Sequence, residues 1–434
     1  MLKVGLARTD ITPEVGGWMD GMIRAHGSTS IHDPLNARAI VFDDGSTRTA
    51  IVSCEIIGLN NETASDIRKR ASAKTGLPFE NIFLSSMHNH SGPATVGYLN
   101  PVDHDYMAAL PGKLVKVIEE AAASTVPAKI GIGAGQETTI SYYRRLWTTD
   151  GKIVMNWEDV DPATIVGPAG EPDHEAGVMK VLSADDGNEL LATIFHYTTH
   201  PNVLSGESFM ISAEFPGLAA RILEKELGGL ALFVNGAQGS SDVEGLKDRD
   251  WQGVERTGKA LAAAVVETAG RITAFDDDIK LTTGVRKIEV PYRNVSDEEV
   301  IWAKKVLAES KGEQITVADG VTDDYVAEIV MELLPKRGTT FPLELGGLAI
   351  GDWAFVSFAG ELFTEIGAAI KKQSPFKQTY IMGLTNGSNG YFPSTKSIAE
   401  GGYAVDTRRV DPPSEQIITD AAVDLLKEMV GGRK

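Results

Sequence analysis

Three times along this chain a two-stranded hairpin is followed by a helix and then by a strand that runs into a polar loop, and this repetition restricts the fold more than any other feature. In the first copy, residues 37–42 and 49–56 flank the turn signal Asp43-Asp44-Gly45, a helical stretch covers about 62–74, and residues 81–86 lead into Met87-His88-Asn89-His90. In the second, residues 177–182 and 190–196 flank Asp185-Asp186-Gly187, Thr199-His200-Pro201 breaks the strand, and 216–227 reads as helix. Its closing strand, 231–234, ends in the polar run 235–242. In the third, residues 345–350 and 353–358 surround Gly351-Asp352, Gly360-Glu361 opens a helix to about Lys372, and the strand 379–382 enters a loop containing Tyr391. Strand and helix units of this kind predict an α/β fold, a large mixed-sheet domain with helices packed on the sheets. The polar strand ends are where such folds assemble sites.

The chain has 434 residues, 42% of them hydrophobic, enough for one large core, so residues 1–434 are read as a single domain. Between the second and third copies, residues 296–336 are acidic and helical in periodicity, a helical excursion placed beside the site. A last helix over about 413–430 stops at Gly431-Gly432. The net charge of −19 argues against nucleic acid and against stable membrane association, which leaves a small-molecule substrate as the expected partner and is compatible with a homo-oligomer. The lone Cys54, in an apolar run, reads as a buried strand thiol. With no cleavable leader and no stretch of membrane-spanning length, the expected location is cytoplasmic.

His88 and His90 stand two apart where a strand ends; in an extended segment both imidazoles project to one side, to share a metal or to divide into ligand and proton donor. Alone, such a pair is weak evidence. Partners stand in the corresponding places of the other copies: His200, Glu361 and Tyr391. Two imidazoles, a carboxylate and a phenolate suit zinc and leave room for water or substrate, although iron, manganese and nickel accept similar donors. Taken singly, each has an ordinary role too: His200 in a turn, Glu361 as a first-turn helix acid, Tyr391 in loop packing.

The run Ser86-Met87-His88-Asn89-His90-Ser91-Gly92-Pro93 resembles the signature of the neutral, non-lysosomal ceramidase family, whose catalytic domain covers nearly this whole chain. Ala7-Arg8-Thr9-Asp10-Ile11-Thr12-Pro13, His32-Asp33-Pro34-Leu35-Asn36-Ala37-Arg38-Ala39 and Gly360-Glu361-Leu362-Phe363-Thr364 resemble family landmarks in the proper order. The resemblance implies that His88, His200, Glu361 and Tyr391 bind zinc, while His90, Arg144 and Tyr403 line the substrate site. Two departures stand out. Ala404 replaces the glutamate that follows the second family tyrosine. In Gly239-Ser240-Ser241-Asp242, Asp242 occupies the place of the family serine. A carboxylate beside a zinc-activated water is a suitable general base, so Asp242 is the candidate base.

The family's leader and additional C-terminal domain are not found, which points away from a long-chain sphingolipid and toward a smaller soluble substrate. The leading expectation is a zinc hydrolase of an amide or related acyl bond. A second keeps the metal and changes the bond to an ester, lactone or glycosidic linkage. A third is a non-catalytic metal-binding protein.

Overall fold

Runs such as Ala39-Ile40-Val41-Phe42 and Ala50-Ile51-Val52 lack polar alternation, so their strands need cover on both faces, and every one of these residues is buried. The structure is a computed structural model that describes residues 1–185, 187–243, 249–310 and 321–431. Eight strands make one mixed sheet: β1 (Lys3–Asp10), β2 (Asn36–Asp43), β3 (Arg48–Cys54), β4 (Ile82–Ser86), β5 (Val126–Gln136), β6 (Glu175–Ser183), β7 (Leu190–Tyr197) and β8 (Leu230–Asn235). They are hydrogen-bonded in the order β8-β7-β6-β5-β1-β2-β3-β4. A second sheet takes four strands in chain order: β9 (Leu281–Pro291), β10 (Thr340–Ile350), β11 (Trp353–Phe358) and β12 (Gln378–Met382).

The sheets face each other. Between them Phe42, Phe83, Ile194 and Val234 of the first meet Leu348, Trp353, Phe355 and Tyr380 of the second in one continuous apolar core. Helices α1 (Asn61–Thr75) and α2 (His104–Ala123) cover one half of the first sheet's outer face; α3 (Glu214–Leu227) and α4 (Trp251–Arg271) cover the other half. Two short helices of the excursion, α5 (Asp297–Glu309) and α6 (Asp323–Leu333), pack on each other through Val300, Ala303, Ala327 and Val330. Helices α7 (Thr364–Gln373) and α8 (Pro413–Gly431) close the outer face of the second sheet. The result is four layers, helix, sheet, sheet, helix.

The repeat is real in the backbone. In every copy the hairpin is antiparallel, β2 with β3, β6 with β7 and β10 with β11, and the closing strand lies parallel to the second, β4 on β3, β8 on β7 and β12 on β11. A parallel return needs a crossover, which α1, α3 and α7 supply. The carboxyl ends of the second and closing strands therefore lie side by side in each unit. Hydrogen bonds join the three ends: the Gly383 N–H donates to the Asn235 carbonyl (2.9 Å), and the Asn386 N–H donates to that of Leu84 (2.9 Å). Asn386 holds a left-handed φ of 64°, and its side-chain oxygen accepts from the Leu84 N–H at 2.8 Å.

Several boundaries differ from expectation. Helix α3 begins at Glu214, before the proline, because Pro216 is tolerated in a first turn. The helix expected from Gly360-Glu361 begins only at Thr364. Glu361 instead enters a two-residue strand, Glu361–Leu362, paired with Tyr391–Phe392, so it is not a first-turn helix acid and Tyr391 is not loose loop. The excursion starts as expected, with Ser296 and Glu299 forming a reciprocal cap on α5, but its residues 311–320 lie outside the described residues, as does Gly432 of the helix stop. Cys54 is fully buried, and burial, with the nearby Glu55, pushes its thiol up to about 12. Among the described residues no helix is long and apolar enough to cross a membrane.

Candidate metal centre

One address recurs in all three units. The third residue beyond the second strand is Ile57 in the first, His200 in the second and Glu361 in the third. His88 comes from the neighbouring loop of the first unit, two residues beyond β4. Within each unit the two loops steady one another. His88 Nδ1 donates to the Ile57 carbonyl (2.9 Å), His200 Nδ1 donates to those of Gln238 (3.0 Å) and Ser241 (2.8 Å), and the Glu361 N–H donates to that of Gly390 (2.9 Å). Because a carbonyl only accepts, these bonds assign the proton to Nδ1 in both rings and leave each Nε2 with a free lone pair.

Those lone pairs converge. His200 Nε2 lies 3.0 Å and His88 Nε2 lies 3.4 Å from the same Glu361 oxygen, and His90 Nε2 is 3.3 Å from His88 Nε2. The ligating atoms of His88, His90 and His200 all lie within 4.8 Å of one another, and all three side chains are buried. Donors about 2.0–2.1 Å from a tetrahedral ion stand roughly 3.3–3.4 Å apart, so the 3.0, 3.4 and 3.3 Å pairs are close to that spacing, whereas the 4.8 Å spread of the three imidazoles is too wide for all three to bind one ion as they stand. Without a cation or a shared proton, lone pairs so close would repel. Desolvation alone would raise the Glu361 carboxyl, yet His88 and His200, when a proton rather than an ion occupies their Nε2 atoms, hold it well below the usual carboxylate range. Burial, then His88 and His200, hold His90 well below the usual imidazole value, so its ring stays neutral.

The backbone is not extended here, contrary to expectation. His88 has φ 71°, a left-handed conformation that costs about 1–2 kcal/mol for a side-chain-bearing residue. The twist brings the two rings edge to face with centroids 4.8 Å apart. Close approach needs glycines around them. A Cβ on Gly21 would stand 2.5 Å from the His90 ring, and one on Gly239 would stand 2.4 Å from the Glu361 carbonyl oxygen.

Arg144 is buried with its guanidinium 5.0 Å from the Tyr391 ring, 5.4 Å from Trp157 and 5.8 Å from Tyr403. It donates to the Gly239 carbonyl at 2.6 Å and approaches His200 Nε2 at 3.4 Å. Burial pushes the Tyr391 hydroxyl well above the phenol range, with Arg144 pulling the other way. Tyr391 and Tyr403 stand edge to face at 5.7 Å and line the same chamber as His88, His90 and Glu361.

Asp242 is fully buried beside Arg144; one oxygen accepts from the Val243 N–H (2.8 Å) and the other has no hydrogen-bond partner among the described residues. It is not among the residues lining the chamber. Both neighbouring serine hydroxyls bond Thr364 at 2.9 Å, which occupies them in packing.

Glu214 escaped notice in the sequence, where it passes for an ordinary helix acid. It is fully buried at φ 50°, and its carboxyl accepts from Ser91 Oγ (3.1 Å) and from the Val203 N–H (2.8 Å), tying the loop that carries His90 to the loop that carries His200. Burial pushes it up to about 8. The folded chain therefore holds a proton that the unfolded chain releases above the ordinary carboxyl value of 4.5, so this group's stabilisation is complete below that pH and is lost as pH rises toward 8. Glu214→Gln is expected to flatten that decline in denaturant unfolding, and Glu214→Ala to cost about 1–3 kcal/mol by stranding two buried donors. An unchanged pH slope in Glu214→Gln would show that the group titrates normally.

Fold and donor set together define an α/β protein with a buried candidate metal centre at the carboxyl ends of its strands. The family model described as neutral/alkaline non-lysosomal ceramidase, N-terminal, matches residues 2–242, and the chain belongs to that family. A neutral ceramidase of Mycobacterium tuberculosis (strain ATCC 25618 / H37Rv) is 25% identical over 248 residues, an alignment covering 53% of this chain and 37% of that relative. The chain thus aligns with well under half the length of this curated relative. Among solved structures, neutral ceramidase from Pseudomonas aeruginosa superposes with a TM-score of 0.73 at 18% identity, covering 99% of this chain and 75% of its own. A ceramidase complexed with C2 gives 0.74 at 18% identity, covering 99% and 76%. At these identities the likeness shows a shared fold.

Proposed function

We propose that this chain is a zinc-dependent hydrolase that cleaves an amide or related acyl bond in a small soluble substrate. The observation that carries the reading is the convergence of His88, His200 and Glu361 from three structural units, each steadied by its own neighbouring loop. These residues would hold the ion, with Tyr391 as the fourth donor implied by the family and His90 close enough to take that place. Bound zinc supplies Lewis acidity, polarising an acyl oxygen and making water acidic enough to attack near neutral pH.

The chain's own groups do the rest. Arg144, caged by aromatic rings, keeps a fixed positive charge where negative charge develops on the acyl oxygen, and Tyr403 and His90 add donors to that side. Asp242, with one unpartnered oxygen, takes the proton from water or serves as the counter-charge that holds Arg144. Residues 1–434 act as one catalytic unit, with helix α6 of the excursion beside its mouth. The single cysteine of this sequence, Cys54, which has no second cysteine in it to pair with, supports a reducing, cytoplasmic setting.

Elemental analysis of the purified protein, coupled to a screen of N-acyl amides, esters, lactones and glycosides, tests this. Near-stoichiometric zinc and chelator-sensitive amide hydrolysis are expected. Turnover of another bond class would move the chemistry to the second reading. Zinc without any turnover would favour a metal-binding protein, and no metal would sink the ligand set.

A further inference from the structure

A buried carboxylate outside the donor set organises one wall of the chamber. Asp20 is fully buried, and its two oxygens accept from four backbone N–H groups: Gly21 (3.0 Å) and Leu99 (2.9 Å) on one, Gly97 (3.0 Å) and Tyr98 (2.8 Å) on the other. Residues 97–99 belong to no strand or helix, so these N–H groups have no ladder to join. Three successive amides turned to one side make an anion-binding nest, helped by the left-handed φ of 78° at Gly97, and the chain fills that nest with its own carboxylate. Such bonds are charge-assisted, and together they offset the hydration that a buried carboxylate loses. The clasp is reciprocal: Asn100 Nδ2 donates to the Met19 carbonyl (2.9 Å), and its side-chain oxygen accepts from the Arg24 N–H (3.3 Å).

The clasp joins two stretches that both face the candidate centre. On the Asp20 side, Gly21 lies against the His90 ring, and Arg24 donates to the His90 carbonyl at 2.8 Å. On the other side, Tyr98 and Leu99 line the chamber with His88, His90 and Glu361. The Tyr98 ring stands edge to face with that of His88, centroids 6.4 Å apart, and its hydroxyl meets Ser388 Oγ in the loop that leads to Tyr391. Tyr98 is therefore tethered at both ends, by its backbone to Asp20 and by its hydroxyl to the third unit.

Resting on the reading of this chamber as the active site of a metal hydrolase, we infer that Asp20 is a positioning residue that acts through Tyr98. It sets the distance between the Tyr98 wall and the histidines, and with it the orientation in which a metal-bound substrate lies against that wall. An amide cannot replace it, because each carboxylate oxygen accepts two N–H bonds. Whichever way an asparagine is turned, its NH2 group faces two donors, so Asp20→Asn keeps the shape of the side chain and opens the clasp.

Two measurements test this. Hydrogen exchange at the amides of residues 97–99 is expected to be slow in wild type and about tenfold or more faster in Asp20→Asn, while strands β1 to β4 exchange as before. Calorimetric titration of the zinc-loaded chain with benzohydroxamate, which joins a metal-binding head to a ring, should give about fivefold weaker binding in Asp20→Asn at unchanged zinc content, and no further loss when Asp20→Asn is added to Tyr98→Ala. Should Asp20→Asn fail to fold, Ser388→Ala cuts the other tether at a half-buried position, and it should weaken the probe by about two- to fivefold, again only where Tyr98 is present. Wild-type exchange at 97–99 in Asp20→Asn, or a loss of binding that persists without Tyr98, overturns the inference and leaves the hydrolase reading standing. Absence of zinc-dependent probe binding in wild type overturns the hydrolase reading instead, and the exchange rates then decide the role of Asp20 by themselves.

Discussion

Zinc retained by the wild-type protein is expected to be lost from His88→Ala/His200→Ala, with affinity falling by more than about 100-fold and any chelator-sensitive hydrolysis disappearing with it. Removal of a group that merely supports a ligand already costs roughly 10–100-fold in metal affinity, and here two donors are deleted outright. Glu361 would then face a site without either imidazole that holds its carboxyl ionised. Folding must be checked separately, because the deletions strand the carbonyls of Ile57, Gln238 and Ser241 that now accept from the two rings. The double variant and metal-stripped wild type should show the same far-ultraviolet circular dichroism. Two further variants divide the remaining position: whichever of His90→Ala and Tyr391→Phe releases more zinc names the fourth donor. Full zinc occupancy in the double variant would return both histidines to packing roles.

The second large effect is expected at Asp242. Asparagine preserves its shape and its bond from Val243 while removing the charge. If the carboxylate takes a proton during turnover, kcat should drop about 10²–10⁴-fold with zinc content unchanged. Its unpartnered buried oxygen makes a second readout available. Asparagine leaves a polar atom at the same unpartnered position and removes the charge beside Arg144, so Asp242→Asn should melt lower than wild type if the carboxylate holds Arg144 and close to wild type if it does not. A fall of less than tenfold, or one that appears only in KM, would assign Asp242 to holding Arg144.

The triple unit was legible because hairpin turns and apolar runs are local features, and the address of His200 and Glu361 follows from where their strands end. Family landmarks added Arg144 and Tyr403, which no periodicity marks. What stayed hidden depends on backbone twist and on distant neighbours. His88 reaches His90 through a left-handed residue that no spacing rule for strands anticipates. Glu214 looks like any first-turn acid until its burial between two loops is seen.

The distribution of donors over three successive units sets a timetable for biosynthesis. His88 and His200 leave the ribosome well before Glu361, and at ordinary elongation rates the wait is roughly 10–30 s after His200 and roughly 15–55 s after His88. During that interval a nascent chain carries both imidazoles but not Glu361, an incomplete ligand set. On the proposed ligand set, capture of an ion would wait for the last unit to dock, and an ion held firmly by a newly made chain would certify that all three parts had been translated and assembled.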